Sequence, residues 1–266
     1  MNKTTNKTSA LSAEVIFSHI GNGADIPKIF VLETVNSTNT YLKELATKDA
    51  KSGTVVIANH QTAGRGRLGR SFYSPDNTGL YMSLLIRNES VSLDPTALTV
   101  AAGVAVCRAI KNVCHKTPQI KWVNDIFLDG KKICGILAEG GTESGVLSYI
   151  IMGIGLNVTT EVFPGELQSI AASLGDNIDR NIIAGEIIKE FNHLRPQCGT
   201  QKLIDEYKTY SLVLGKKIDF THNDEVCTGI ASDINIEGNL IVTLDNGRTV
   251  TLKSGEVSLR SSAFTL

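Results

Sequence analysis

Charge of neither sign is in excess in this chain: 26 Lys and Arg stand against 27 Asp and Glu, for a formal net charge of −1. Such a chain has no global field that draws it onto nucleic acid or an anionic membrane, so any basic site must be local. Long apolar runs are also missing. The longest, near Tyr149 to Val158, is too short and too glycine-rich to span a bilayer as a helix. The N-terminal residues include Lys3 and Lys7 but lack the sustained apolar stretch of a secretory signal. Paired cysteines are lacking too: Cys107, Cys114, Cys134, Cys198 and Cys227 form no CxxC and have no His-rich partner set. An odd, scattered set favours free thiols in a reducing compartment over disulfides or zinc, and all five are expected as packing residues. These absences point to a cytoplasmic protein with neither membrane nor nucleic acid as partner and no metal site of its own.

What is present is an ordinary globular composition, 42% apolar and 20% charged over 266 residues, long enough for one large domain or one large and one small. Residues 1–28, rich in Thr, Asn, Ser and Lys, read as a loose N-terminal segment. Strands are expected at Ile29–Val35, Thr54–Ala58, Leu80–Ile86, Gln119–Leu128, Ile133–Glu139 and Val146–Val158. A helix should follow Ser37-Thr38-Asn39, with a side-chain oxygen available as its cap. Asp94-Pro95 opens a second helix, apolar on nearly every side and therefore central. Two more helices are predicted at Asn181–Leu194 and Gln201–Tyr210. Asp129-Gly130 is a strong hairpin turn, because both central positions of that turn want positive φ. From Gly215 only short strands and turns remain, which places a small antiparallel barrel or sandwich at 215–266 and the larger domain at 29–214. Hairpins mixed with helices make the larger domain α+β, not doubly wound.

Three segments carry the candidate chemistry. In Gly64-Arg65-Gly66-Arg67-Leu68-Gly69-Arg70, three arginines within six residues repel one another unless an anion sits among them, and the glycines let backbone N–H groups approach that anion. A solvated basic loop fits the composition equally well. It is not a Walker loop, and it does not match GxGxxG opening a helix, since Ser74-Pro75-Asp76-Asn77 follows as a turn. In Lys121-Trp122-Val123-Asn124-Asp125, read as one strand, Lys121, Val123 and Asp125 share a face; a structural Lys–Asp ion pair is the plainer reading, and Trp122 reads as core. In Gly153-Ile154-Gly155-Leu156-Asn157, glycines inside a strand mark either a bulge or a close approach of something to the backbone.

Together with Ser37-Thr38-Asn39, Gln61 and Gly135-Ile136-Leu137, these segments resemble the biotin protein ligase family, from about residue 29 to the end. The combination of GRGR with a KWxND segment at this separation is specific; either alone is weak. The resemblance implies a central mixed β-sheet backed by helices with a biotin pocket on the sheet, plus a small C-terminal all-β barrel. It implies an enzyme that uses ATP to make biotinyl-5′-AMP, with Mg2+ on the ATP, and transfers biotin to a lysine of a biotin carboxyl carrier protein of acetyl-CoA carboxylase or a related carboxylase. By motif position Ser37, Thr38, Asn39 and Gln61 would bind the ureido ring. Arg65, Gly66 and Arg67 would cover the carboxylate and phosphate, and Lys121 would sit beside the reacting groups. Gly153 and Gly155 would form the floor. Arg67, Arg70, Phe72, Asn124, Lys132 and Asn157 would hold the adenylate, with Phe72 where the family often has a tryptophan. Lys121, Arg65 and Arg67 are the catalytic candidates.

Val123 stands where the family pattern has proline. Only about 28 residues precede the first strand, so the chain looks like the form without an N-terminal DNA-binding module. The family includes monomers and edge-to-edge homodimers. A lipoate-type ligase and a non-catalytic biotin-binding regulator are the competing readings. Ordering about ten loop residues costs on the order of 10–20 kcal/mol, so residues 62–70 are expected to be mobile when empty and ordered over bound adenylate.

Overall fold

The computed structural model describes residues 10–21, 28–87, 94–222, 225–253 and 255–259. Strands β1 (Ile29–Val35) and β2 (Val55–Gln61) run parallel, which demands a crossover, and helix α2 (Thr38–Ala46) supplies it. The remaining neighbours in the sheet are antiparallel: β3 (Gly79–Arg87), β4 (Gln119–Lys121), β5 (Asp125–Leu128), β6 (Lys131–Glu143) and β7 (Val146–Asn157) complete the order β1-β2-β3-β7-β6-β5-β4. This is the expected mixed sheet. Alternation along its strands separates two apolar layers. Val55, Ile57 and Leu84 join the main core, whereas Val56 and Leu85 pack with Leu42 and Ala46 of α2 on the opposite face.

Helix α3 (Pro95–Cys114) lies at the centre of the main core. The Asp94 carboxylate accepts from the Thr96 and Ala97 N–H groups, and Pro95 occupies the first turn as expected. The helix is long and apolar enough to cross a bilayer, yet 72% of that stretch is buried inside the chain, where it packs against β6, β7, α5 (Arg180–Leu194) and α6 (Gln201–Thr209). Asp129 (φ 50°) and Gly130 (φ 76°) form the β5–β6 turn. The five cysteines are free and packed in or against the core. Burial pushes the Cys198 thiol up to about 11 and raises Cys107, Cys114 and Cys134 as well.

The C-terminal strands form a five-stranded antiparallel sheet: β8 (Lys217–His222), β9 (Glu225–Ile234), β10 (Leu240–Leu244), β11 (Thr249–Leu252) and β12 (Val257–Leu259), in the order β11-β10-β9-β8-β12. Its inner residues Ile218, Phe220, Ala231 and Val242 belong to the same apolar cluster as the main core.

Two expectations need correction. Residues 1–28 are not uniformly loose: α1 (Ala13–Ile20) is a helix capped by Ser12, which buries Ile16 and Ile20 at i, i+4 spacing. Residues 1–9 and 22–27 of that segment lie outside the described residues. The stretch 119–128 is not one strand. It reverses after Lys121, so β4 and β5 pair as a hairpin with Lys121 opposite Asp125. Long-range bonds hold that reversal: the Trp122 indole N–H donates to the Gly238 carbonyl (2.9 Å) and the Tyr207 hydroxyl donates to the Val123 carbonyl (3.1 Å).

Candidate functional site

The α2 face of the main sheet, where Tyr81, Ser83, Gly153, Gly155, Gly135 and Leu137 point under strand alternation, carries a cavity of about 530 Å3. Ser37, Thr38, Asn39, Gln61, Arg65, Gly66, Arg67, Arg70, Phe72, Lys121, Asn124, Lys132, Gly153, Gly155 and Asn157 all line it. Residues drawn from six separated stretches of sequence therefore converge on one volume.

One end is a network of amides and hydroxyls in the first turn of α2. Gln61 Oε1 accepts from the Thr38 N–H (2.9 Å), which leaves Gln61 Nε2 to donate to Ser74 Oγ (2.9 Å). Ser83 Oγ lies 2.7 Å from Thr38 Oγ1 and 2.6 Å from Asn39 Oδ1. Ser37 holds the cap position but makes no side-chain cap bond, contrary to expectation. Ser37 is nonetheless buried at the cavity wall.

The glycines of β7 make room for side chains of this chain. A Cβ on Gly153 would lie 2.3 Å from Asn39 Oδ1, and one on Gly155 would lie 2.7 Å from the Phe72 ring. Register with both neighbours is continuous through Gly153 and Gly155, so the alternative of a bulge is excluded there.

The arginine loop is a tight hairpin: Gly66 N–H donates to the Arg70 carbonyl (2.8 Å) and Phe72 N–H to the Gly64 carbonyl (2.9 Å). At its tip Leu68 (φ 55°) and Gly69 (φ 76°) turn the chain through left-handed conformations. The three arginines each have a partner within the chain. Arg65 Nη2 pairs with Glu139 Oε1 (2.8 Å) and Arg70 Nη1 with Glu256 Oε1 (2.5 Å), while Arg67 Nη1 donates to the neutral Asn124 Oδ1 (2.8 Å). Two carboxylates thus offset part of the hairpin's positive charge.

At the other end the plain Lys121–Asp125 ion pair does not form. Asp125 Oδ1 takes Lys132 Nζ instead (2.8 Å), and the Lys121 ammonium stands 5.8 Å from the centre of the Phe127 ring. Among the described residues Lys121 and Arg67 are the cavity cations with no carboxylate within ion-pair distance. Asn157 donates to the Ala172 carbonyl (3.0 Å), which fastens the segment around α4 (Leu167–Ile170) to the end of β7. Trp122 is core, as read, and its edge also reaches the cavity.

Among the described residues five cations line the volume (Arg65, Arg67, Arg70, Lys121, Lys132) against two carboxylates, Asp125 and Glu256. A chain with net charge −1 thus concentrates positive charge where a polyanion would enter. Sequence reasoning missed Glu139, Glu256, Tyr73, Phe163 and the 167–171 segment. Glu139 was within reach, since it lies two residues beyond Leu137 on the same strand face. Glu256 carried no local signal.

The model of the biotin/lipoate A/B protein ligase family matches residues 31–157, and that of the biotin protein ligase C-terminal domain matches residues 213–260. The bifunctional ligase/repressor BirA of Bacillus subtilis is 34% identical over 81% of this chain and 69% of its own length. The biotin–[acetyl-CoA-carboxylase] ligase of Mycobacterium tuberculosis is 33% identical over 90% of this chain and 91% of its own. Among solved structures, biotin protein ligase from Aquifex aeolicus in complex with biotin and ATP superposes with a TM-score of 0.77 at 27% identity, covering 88% of this chain and 99% of that one.

Proposed function

This chain belongs to the biotin/lipoate A/B protein ligase family, and we propose that it is a biotin protein ligase that forms biotinyl-5′-AMP from biotin and ATP and passes the biotin to a lysine of an acceptor protein. The observation that carries the reading is one cavity with an amide–hydroxyl network at one end and unpaired cations at the other. The first end suits a compact, neutral ureido ring with both donors and acceptors. The second suits two anions brought together.

Biotin's carboxylate is a poor electrophile and must be activated. Attack on the α-phosphate of ATP forms a C–O–P anhydride and expels pyrophosphate. Repulsion between the two anions is a large part of the barrier, and positioned cations lower it without any covalent enzyme nucleophile. Arg67 and Lys121 are assigned that role because no carboxylate neutralises them; Arg65 is assigned beside them from its position against Glu139. Phe72, Arg70, Asn124, Lys132 and Asn157 are assigned to the adenylate. A magnesium ion on the ATP phosphates would supply charge neutralisation there. Such an ion would keep several waters and be held mainly by the phosphates themselves, since Asp125 and Glu256 are engaged by Lys132 and Arg70. Among the described residues no cluster of three or more potential ligands gathers.

The adenylate hydrolyses unless sheltered. The arginine hairpin, hinged on Gly64 and Gly66, is assigned as its cover. In the second step an acceptor lysine amine attacks the acyl carbon, the C–N amide bond forms, and AMP leaves. The acceptor is a biotin carboxyl carrier domain of acetyl-CoA carboxylase or a related carboxylase. Mass spectrometry of such a domain after incubation with the protein, MgATP and biotin tests the assignment: a gain of one biotinyl group on one lysine is expected. Modification with lipoate in place of biotin would overturn it.

A further inference from the structure

Glu139 does not line the cavity, yet both of its carboxylate oxygens are used by residues that do. Oε1 accepts from Arg65 Nη2 at 2.8 Å, and Oε2 accepts from Asn39 Nδ2 at 2.7 Å. An ionised carboxylate only accepts. The Asn39 amide is therefore fixed with its NH2 toward Glu139 and its Oδ1 toward Ser83 Oγ, 2.6 Å away. That Oδ1 sits over Gly153, where a Cβ would come within 2.3 Å of it. Arg65 belongs to the arginine hairpin and Asn39 to the first turn of α2. A single side chain thus joins the two halves of the site.

We propose that Glu139 is a positioning residue: it sets the hydrogen-bonding polarity that Asn39 offers to biotin and, by holding Arg65, couples the polar end of the pocket to the arginine hairpin. The inference rests on the ligase reading above. Its two halves are unequal in strength. Arg65 is 52% exposed, and an ion pair of that kind contributes little by itself. Asn39 is only 5% exposed, and a buried amide that loses its acceptor leaves a costly unsatisfied donor. The larger effect should therefore appear in biotin affinity, and a smaller one in retention of the adenylate.

Glu139→Gln tests this, because a nearly isosteric amide offers one acceptor where Arg65 and Asn39, both donors, need two. Biotin Kd by calorimetry, and KM in biotin-dependent ATP–pyrophosphate exchange, should rise about 10- to 100-fold, the range for a buried bond to a charged group. kcat at saturating biotin should fall less than about threefold, since Glu139 touches no reacting atom. Adenylate release should quicken. In an Asn39→Ala background the same substitution should add less than about twofold to the biotin Kd, because the partner it acts through is gone. Glu139→Asp keeps both acceptors at shorter reach and should fall between parent and Gln; if the Gln variant does not fold, a parent-like biotin Kd in Glu139→Asp decides against the proposal. Parent-like affinity and adenylate release in Glu139→Gln, or a loss that multiplies fully with Asn39→Ala, overturns it while leaving the ligase reading intact. Absence of biotin-dependent exchange in the unsubstituted chain overturns both.

Discussion

Arg70 and Glu256, 186 residues apart, meet through two parallel hydrogen bonds of 2.5 and 2.8 Å that join the arginine hairpin to the segment entering β12. The forked geometry fits guanidinium to carboxylate at two points. Both side chains are well exposed, 67% and 46%, so the pair is a tether and not a source of stability. Glu256→Gln should change unfolding free energy by less than about 1 kcal/mol. It should nevertheless accelerate release of bound adenylate, because the hairpin loses its tie to the C-terminal sheet. Denaturant unfolding and a filter-based dissociation assay on the same variant separate the two effects; parent-like release would refute the tether.

Arg67 lacks such a carboxylate partner, and its bond to Asn124 is between a cation and a neutral amide. Arg67→Gly should leave the fold intact, release adenylate faster and label lysines on bystander proteins. Streptavidin blotting of a reaction containing serum albumin checks it. Unchanged retention would count against a clamp at this position.

Lys121 contributes no ion pair to the β4–β5 hairpin, since Asp125 is engaged by Lys132. Lys121→Ala should therefore keep the parent melting temperature while slowing pyrophosphate exchange by about 100-fold or more, the loss typical of a removed transition-state charge. Exchange at the parent rate would remove Lys121 from the mechanism.

The two floor glycines should differ. A methyl on Gly155 meets the Phe72 ring, which can turn aside, whereas a methyl on Gly153 meets Asn39, which is locked by Ser83 and Glu139. Gly153→Ala should weaken biotin binding by about 10-fold or more, in line with loss of one well-placed hydrogen bond. Gly155→Ala should have a smaller effect on biotin, seen mainly in KM for ATP. Titration of both variants with biotin gives the order, and equal losses would contradict it.

Much of this molecule was legible one segment at a time. Asp94-Pro95 and Asp129-Gly130 are local devices, a side chain or a φ preference acting within a few residues, and both occur where expected. Strand alternation separated Val56 from its neighbours Val55 and Ile57 for the same reason. Helix α1 escaped because its Thr- and Asn-rich surroundings outweighed two isoleucines, and its stability comes from packing on α5.

The convergence of the motif residues was implied by their kinds and order, but their partners were not. Pattern alone makes Lys121 and Asp125 share a strand face. The chain reverses instead because Trp122 and Val123 find partners at Gly238 and Tyr207, about a hundred residues away. Likewise the arginines carried no sign that Glu139 and Glu256 would accept them. Periodicity and propensity act over a few bonds and determine which elements form and which face each presents. The pairing of charges across the cavity depends on which distant surfaces burial brings together, and only the folded chain decides that.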